Sequence, residues 1–250
     1  MSTRIAIVAG AGSGLGQATA LALHAAGYTV VAVDRSESGL NELPDAITHR
    51  EVADATDPAV PVPLVDKIAT EVGAPNVLVN TIGAFELSDA LSATPGGLRA
   101  LTDVNVGAAL WLTQAVAPHM ERDGTGAIVH ITARPGIEPT AGYAAYGVSK
   151  AALAHLIRIL ELELRPKGIR VNAVAPQVIA TAKNKALFPP EALAGAVEPE
   201  AIANVHGMQV AVGQGPPWLP RFHRAVATRE PGPGSAPKRR NLHDLVPEQL

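Results

Sequence analysis

Gly10-Ala11-Gly12-Ser13-Gly14-Leu15-Gly16 follows directly on the apolar run Ile5-Ala6-Ile7-Val8-Ala9 and leads into a helix-forming stretch. A short β-branched run, a glycine-rich turn and a helix, in that order, open a strand–turn–helix unit. Glycines let the chain turn tightly and let backbone approach an anion closely. The free N–H groups and positive dipole end of the following helix can then hold a diphosphate. The spacing G-x-G-x-x-G fails when started at Gly10, because Leu15 takes its third glycine position. G-x-x-x-G-x-G fits, through Gly10, Gly14 and Gly16. A glycine cluster alone is also compatible with a tight turn that holds nothing. Asp34 adds a second signal. It closes the next β-branched run, Thr29-Val30-Val31-Ala32-Val33, near the distance at which an acid meets adenosine ribose hydroxyls. A carboxylate there repels a 2′-phosphate and favours NAD over NADP, while Arg35 beside it softens that preference. By itself Asp34 is equally a surface acid or a helix cap.

Outward from this unit, short β-branched runs alternate with helical patterns. Strands are expected at Ile5-Ala6-Ile7-Val8, at Thr29 to Val33, near Ile47 to Val52, at Val77-Leu78-Val79, at Ala127 to Ile131 and at Ile169 to Val174. Most of these runs are continuous rather than alternating, as in strands covered on both faces. Helices are expected at about 15–26, 61–72, 98–121 and 144–165. The alternation predicts an α/β fold: a Rossmann-like, doubly wound parallel sheet in three α/β/α layers.

The chain has 250 residues, a length that suits one α/β core. Hydrophobic residues make up 47%, charged residues 17% and aromatics only 3%, so Ala, Val, Leu and Ile must build the core. Without cysteine, disulfides, thiolate metal sites and cysteine nucleophiles are excluded, and a reducing, cytoplasmic location is expected. No metal site is expected. The net charge of −3 argues against a nucleic-acid partner, and no apolar stretch reaches the 18 or more residues of a membrane span. The first apolar run is too short for a signal peptide. From about Val205, periodicity fades and Gly213, Gly215, Pro216, Pro217, Pro220, Pro231, Gly232, Pro233, Gly234 and Pro237 crowd in around Lys238-Arg239-Arg240. The expected division is a dinucleotide-binding domain at 1–204 and a poorly ordered tail at 205–250.

Four further stretches complete a pattern: Asp54-Ala55-Thr56-Asp57, Asn80-Thr81-Ile82-Gly83, Tyr146-Gly147-Val148-Ser149-Lys150 and Val171-Asn172-Ala173-Val174-Ala175-Pro176. With the glycine loop, in order and spacing, they resemble the short-chain dehydrogenase/reductase family over roughly residues 4 to 203. The Tyr/Lys pair also has a physical reading. A four-residue spacing puts both side chains on one helix face, and a nearby ammonium favours phenolate over phenol. Such a tyrosine can exchange a proton with a carbonyl or alcohol oxygen. The resemblance implies Tyr146 as catalytic acid/base and Lys150 as the residue that binds the nicotinamide ribose and lowers the Tyr146 pKa. It implies Asn105 as the helix asparagine of a water-linked proton relay. Gly10, Ser13, Gly14, Leu15 and Gly16 would bind the diphosphate, with Asp34 and Arg35 at the adenosine ribose and Asp54 and Ala55 along the adenine. Asn80, Ile82 and Gly83 would form the turn after the fourth strand. Pro176, Gln177, Ile179 and Thr181 would run beside the nicotinamide. The implied function is NAD-dependent oxidoreduction of a small carbonyl or secondary alcohol, NADP being second choice. A homodimer through the helices at 98–121 and 144–165 is expected, with a tetramer left open.

The chain departs from the family pattern in three places. Ala133 stands where the family has its catalytic serine, thirteen residues before Tyr146. Removing one such donor typically costs about 10²–10³ in rate. Thr132, adjacent, is the candidate substitute if the end of the strand redirects its hydroxyl, and Arg134 is a candidate contact for an anionic substrate. Gln177 replaces the glycine that usually follows Pro176. After Glu198-Pro199-Glu200-Ala201-Ile202-Ala203 the family ending gives way to the tail, which predicts loss of the last strand and an uncovered sheet edge, as a frameshift would produce. Ala133 and the tail raise a second reading, a weak or inactive NAD(H)-binding protein.

Overall fold

The computed structural model describes residues 4–211 and 222–223. In chain order these form β1 (Ile5–Ala9), α1 (Gly14–Ala25), β2 (Thr29–Asp34), α2 (Glu37–Asn41), β3 (His49–Val52), α3 (Pro61–Glu71), β4 (Val77–Asn80) and α4 (Pro95–Thr102). They continue as α5 (Ala108–Asp123), β5 (Gly126–Ile131), α6 (Ala144–Leu164), β6 (Ile169–Val174), α7 (Ala182–Leu187), α8 (Pro190–Leu193), α9 (Pro199–Ala211) and β7 (Phe222–His223). The sheet runs β3-β2-β1-β4-β5-β6-β7, with every pairing parallel. Strand order reverses between β1 and β4, and the crevice beyond their carboxyl ends is where ligands bind in such sheets.

Alternation along each strand sorts its side chains into two cores. Ile5, Ile7 and Ala9 of β1 join Leu64, Val65 and Ile68 of α3, Leu112 and Val116 of α5, and Leu153 and Ile157 of α6. Ala6 and Val8 point the other way, to Leu15, Ala20 and Leu23 of α1 and Ile202 of α9. Continuous apolar runs are therefore needed: every position of β1, β4 and β5 is buried on one face or the other.

Three expectations are corrected. The stretch 98–121 is not one helix: a π-helical turn, Asp103–Gly107, separates α4 from α5. The extra residue in that turn carries Asn105 inward, where its amide is fully hydrogen-bonded (below). The last strand is present in reduced form, because Phe222–His223 pairs with Ala173 and Val174 of β6. Further back along that edge, the Val171 N–H donates to the buried Glu161 carboxylate, which also accepts from Arg165 Nε at 2.6 Å. Finally, α9 runs across the expected 204/205 boundary. It lies on α1, with Ile202 and Ala203 buried and His206 Nδ1 3.0 Å from Thr19 Oγ1. The Thr19 hydroxyl is already donating to Leu15 O, so His206 Nδ1–H is the donor. The tail at 212–250, apart from Phe222–His223, lies outside the described residues.

Candidate active site

The glycine loop is dictated by close backbone approach. Gly10 has φ +84°, and a Cβ there would stand 2.5 Å from Thr81 Oγ1. A Cβ on Gly16 would fall 1.9 Å from Gly10 O, and one on Gly14 2.7 Å from Thr181 Cγ2. The three glycines of the sequence pattern thus let α1 begin directly against the end of β1, with its N-terminus at the crevice. Gly12, outside that pattern, has its own cause: a Cβ there would stand 2.8 Å from Asp34 Cγ, and its N–H donates to Asp34 Oδ2 at 2.8 Å. The second Asp34 oxygen accepts from Ser36 N at 2.9 Å. Asp34 therefore ties the glycine loop to the start of α2.

A cavity of about 230 Å³ lies beyond β1, β2 and β4, lined by Gly10, Asp34, Arg35, Asp54, Ala55 and Ile82 among others. Asp54 Oδ1 accepts from Thr56 Oγ1 at 2.6 Å and Thr56 N at 3.0 Å. The Thr56 hydroxyl and N–H hold the Asp54 carboxyl below its usual range, with a smaller contribution from Arg35, 3.8 Å away. Asn80 stands behind this wall rather than in it. Its Oδ1 accepts from Ile82 N at 3.0 Å and its Nδ2 donates to His130 Nδ1 at 3.3 Å. His130 Nε2–H then faces Thr113 Oγ1 at 3.1 Å. Burial first, and the Lys150 charge second, push His130 down to about 3. The neutral ring fixes the turn that carries Ile82 and Gly83.

A second cavity of about 230 Å³ lies across β1, β5 and β6, lined by Leu15, Gly16, Tyr146, Lys150, Pro176, Gln177, Ile179 and Thr181 among others. Ser13, Thr81, Gly83 and Ala84 line both cavities, so the two form one crevice astride the glycine loop. An acid at one end, a Tyr/Lys pair at the other and a helix N-terminus between them fit an extended dinucleotide. Thr181 caps α7, accepting from Asn184 N at 3.2 Å, while Asn184 Nδ2 donates to Ile179 O at 2.9 Å. The first turn of α7 is thereby laid over Gly14.

Tyr146 and Lys150 share one face of α6, as the spacing predicts. Lys150 Nζ donates to Ile131 O at 2.9 Å and sits 5.9 Å from the Tyr146 ring centre. Burial pushes Lys150 down to about 8. Burial also pushes the Tyr146 phenol up, helped by the nearby Tyr143. The expected lowering of Tyr146 by Lys150 is absent from this structure: burial sets the direction, and Lys150 Nζ is bonded to a carbonyl. Asn105 is buried and does not line the cavity. Its Oδ1 accepts from Ala84 N at 2.9 Å, and its Nδ2 donates to Ala84 O and Ser149 Oγ at 3.0 and 2.9 Å. The Ser149 hydroxyl donates to Tyr146 O at 2.8 Å. Asn105 therefore clamps the turn after β4 to the helix bearing the tyrosine.

Thr132 is also corrected. Its hydroxyl donates to Lys150 O at 2.9 Å and the residue is 1% exposed, so its one proton is committed to the backbone of α6. Ala133 lines the cavity with a methyl group. Arg134 lies at the rim, donating from Nε to Glu138 Oε2 at 2.8 Å and from Nη1 to Gln177 Oε1 at 2.9 Å. Gln177 is thus held outward by Arg134. Sequence reasoning missed an aromatic wall. The chain has three phenylalanines and three tyrosines. Four of these rings, Phe85, Tyr143, Tyr146 and Phe188, meet at the cavity with centroids 5.0–6.2 Å apart. Tyr143 could have been found from its place three residues before Tyr146 on the same helix face. Phe85 and Phe188 sit in loops, where no periodicity marks them.

The family model for short chain dehydrogenase matches residues 4–192. Among curated proteins, the chain is 36% identical over 191 residues to L-xylulose reductase of Mesocricetus auratus, covering 74% of this chain and 75% of that enzyme. Among solved structures it is similar to a 7α-hydroxysteroid dehydrogenase complexed with NADH and 7-oxo-glycochenodeoxycholic acid. That match has a TM-score of 0.77 and 30% identity over 83% of this chain and 87% of the other. It is also similar to a putative NAD(P)-dependent gluconate 5-dehydrogenase from Beutenbergia cavernae with bound NADP. There the TM-score is 0.76 and the identity 30%, over 84% and 90% of the two chains.

Proposed function

Because the chain belongs to the short-chain dehydrogenase family, we propose that it is an oxidoreductase interconverting a small carbonyl compound and its secondary alcohol, with NAD(H) preferred over NADP(H). The observation that carries this reading is the single crevice with Asp34 at one end and Tyr146 and Lys150 at the other. Residues around Ser13 and Gly14 hold the diphosphate at the α1 N-terminus. Asp34 meets the adenosine ribose hydroxyls, and its carboxylate, anchored by two backbone N–H groups, opposes a 2′-phosphate. Arg35 faces Asp54, which weakens any help it gives to that phosphate.

When bound, the nicotinamide supplies or accepts a hydride at C4. Tyr146 donates its hydroxyl proton to the substrate oxygen in reduction and takes it back in oxidation. Burial keeps it a phenol at neutral pH, so the free protein is set for proton donation. Lys150, buried beside it with a pKa near 8, bonds the ribose and restores the proton. Asn105 and Ser149 hold the Tyr146 backbone in register with Ala84. The four-ring wall suits a substrate with an apolar face beside its carbonyl.

Calorimetric titration with NADH and NADPH, followed by turnover of activated ketones, tests the reading. Tighter NADH binding and turnover abolished by Tyr146→Phe are expected. Well-folded protein that binds neither dinucleotide would overturn it. The alternative, a weak dinucleotide-binding protein, draws on Ala133 and the committed Thr132 hydroxyl. NADH binding without turnover would favour it.

A further inference from the structure

The oxygen of a carbonyl under reduction gathers negative charge, and sites that stabilise it aim more than one donor at it. In this cavity most candidates are engaged elsewhere. Ala133 has no donor. The Thr132 hydroxyl donates to Lys150 O, the Ser149 hydroxyl to Tyr146 O and the Thr81 hydroxyl to Ala9 O. Lys150 Nζ donates to Ile131 O. The Arg134 guanidinium is drawn to Glu138 and Gln177 at the rim.

Two phenols remain. Tyr143 and Tyr146 both line the cavity, with ring centres 6.2 Å apart and planes tilted by 49°. Among the described residues neither hydroxyl is tied up in a hydrogen bond. Tyr143 is the N-cap residue of α6, so its side chain falls on the same face as Tyr146, three residues on. It is held there from two sides. Ser88 N donates to Gly142 O and Ala144 N donates to Ser88 O, each at 3.0 Å. Phe85 packs on both tyrosine rings, at 5.8 and 5.0 Å. Burial raises the Tyr143 pKa, so its hydroxyl stays protonated at neutral pH, and its proximity raises that of Tyr146.

We propose that Tyr143 is a catalytic residue, whose hydroxyl supplies to the substrate oxygen the second hydrogen bond that a serine at position 133 would otherwise give. This rests on the oxidoreductase reading above. In reduction the carbonyl carbon gains a hydride, its π electrons move onto oxygen, and that oxygen takes the proton of Tyr146. Tyr143 donates a hydrogen bond to the same oxygen and keeps its own proton. Oxidation runs the same path in reverse.

The test is a double-mutant cycle on Tyr143→Phe and Ala133→Ser. It is read as kcat with NADH and a panel of activated carbonyls headed by 2,3-butanedione. NADH affinity and melting temperature are followed in parallel. Tyr143→Phe keeps the ring and its packing, so NADH affinity and melting should hold while kcat falls about 10²–10³-fold. Ala133→Ser should restore most of the kcat lost in the Tyr143→Phe background. A purely structural role would not give that rescue. A readout without turnover is binding of the unreactive carbonyl analogue isobutyramide to the protein–NADH complex. It should weaken about 3- to 10-fold in Tyr143→Phe, the worth of one hydrogen bond. An active parent with Tyr143→Phe unchanged in both readouts would overturn the proposal and leave the oxidoreductase reading standing. So would an inert parent made active by Ala133→Ser. Inert parent and serine variant, with no NADH binding, would overturn both.

Discussion

Gly16→Ala is the sharpest test of the architecture that makes the crevice. The new methyl carbon would lie 1.9 Å from Gly10 O, 2.6 Å from Gly10 C and 2.8 Å from Ala11 Cα. Real Cβ contacts essentially never fall under 3.0 Å, so α1 and the end of β1 must part by more than about 1 Å. All three atoms are backbone, and no side-chain rotation relieves the clash. Overpacking of this kind costs about 1–3 kcal/mol, and the rigidity here argues for the upper end. For a protein of this size that is a fall in Tm of about 6–12 °C. The same displacement moves the α1 N–H groups away from the diphosphate. Losing one or two charge-assisted hydrogen bonds, worth about 1.5–3 kcal/mol each, weakens NADH by about 10-fold or more. Gly96→Ala in α4 is the control. Nothing lies within 4 Å of its added Cβ and its φ is not positive, so Tm should hold or rise slightly. Differential scanning calorimetry and NADH titration of both variants decide the matter. A Gly16→Ala protein with parental Tm and parental NADH affinity would refute the close approach of α1 to β1.

Thr132→Val should lower stability by about 0.5–1.5 kcal/mol, because it removes the second hydrogen bond to Lys150 O, which keeps only its helix partner. Thr132→Ser should not, and denaturant melts of the two compare them directly. Unchanged stability with lost turnover in the valine variant would instead make Thr132 the oxygen-binding hydroxyl. Lys150 titrates near 8 when folded and near 10.5 when unfolded, so burial penalises its charged form fully below pH 8. That penalty lifts as pH rises from 8 towards 10.5, with a slope of up to about 1.4 kcal/mol per unit. Denaturant melts of Lys150→Met should show a flatter profile across that window, and a slope equal to the parent's would contradict the assignment. His206, pushed by burial to about 4, has a buried Nε2 with no hydrogen-bond partner among the described residues. The stability of its neutral form is present above 6.5 and lost as pH falls towards 4. His206→Leu should therefore soften acid destabilisation, measured by melts between pH 7 and 4.5.

What could be read from the chain alone is what depends on local order. Continuous β-branched runs marked β1, β2, β4, β5 and β6, because a strand covered on both faces has no polar side to show. The spacing of Gly10, Gly14 and Gly16 marked the anion loop, since backbone contact leaves no room for a Cβ. The interval from Tyr146 to Lys150 placed both on one face of α6. Tertiary structure decided everything that depends on which groups meet across the fold. Asn105 clamps the turn after β4 because a π turn aims it inward, and Thr132 turns to Lys150 O rather than to substrate. Lys150 and Tyr146 move away from their ordinary pKa values in the sense that burial dictates, against the local expectation of an ammonium beside a phenol. Phe85 and Phe188 join Tyr143 and Tyr146 from two separate loops. Such encounters leave no periodic trace, because they are set by the packing of helices and loops on the sheet and by what each group loses when water is removed.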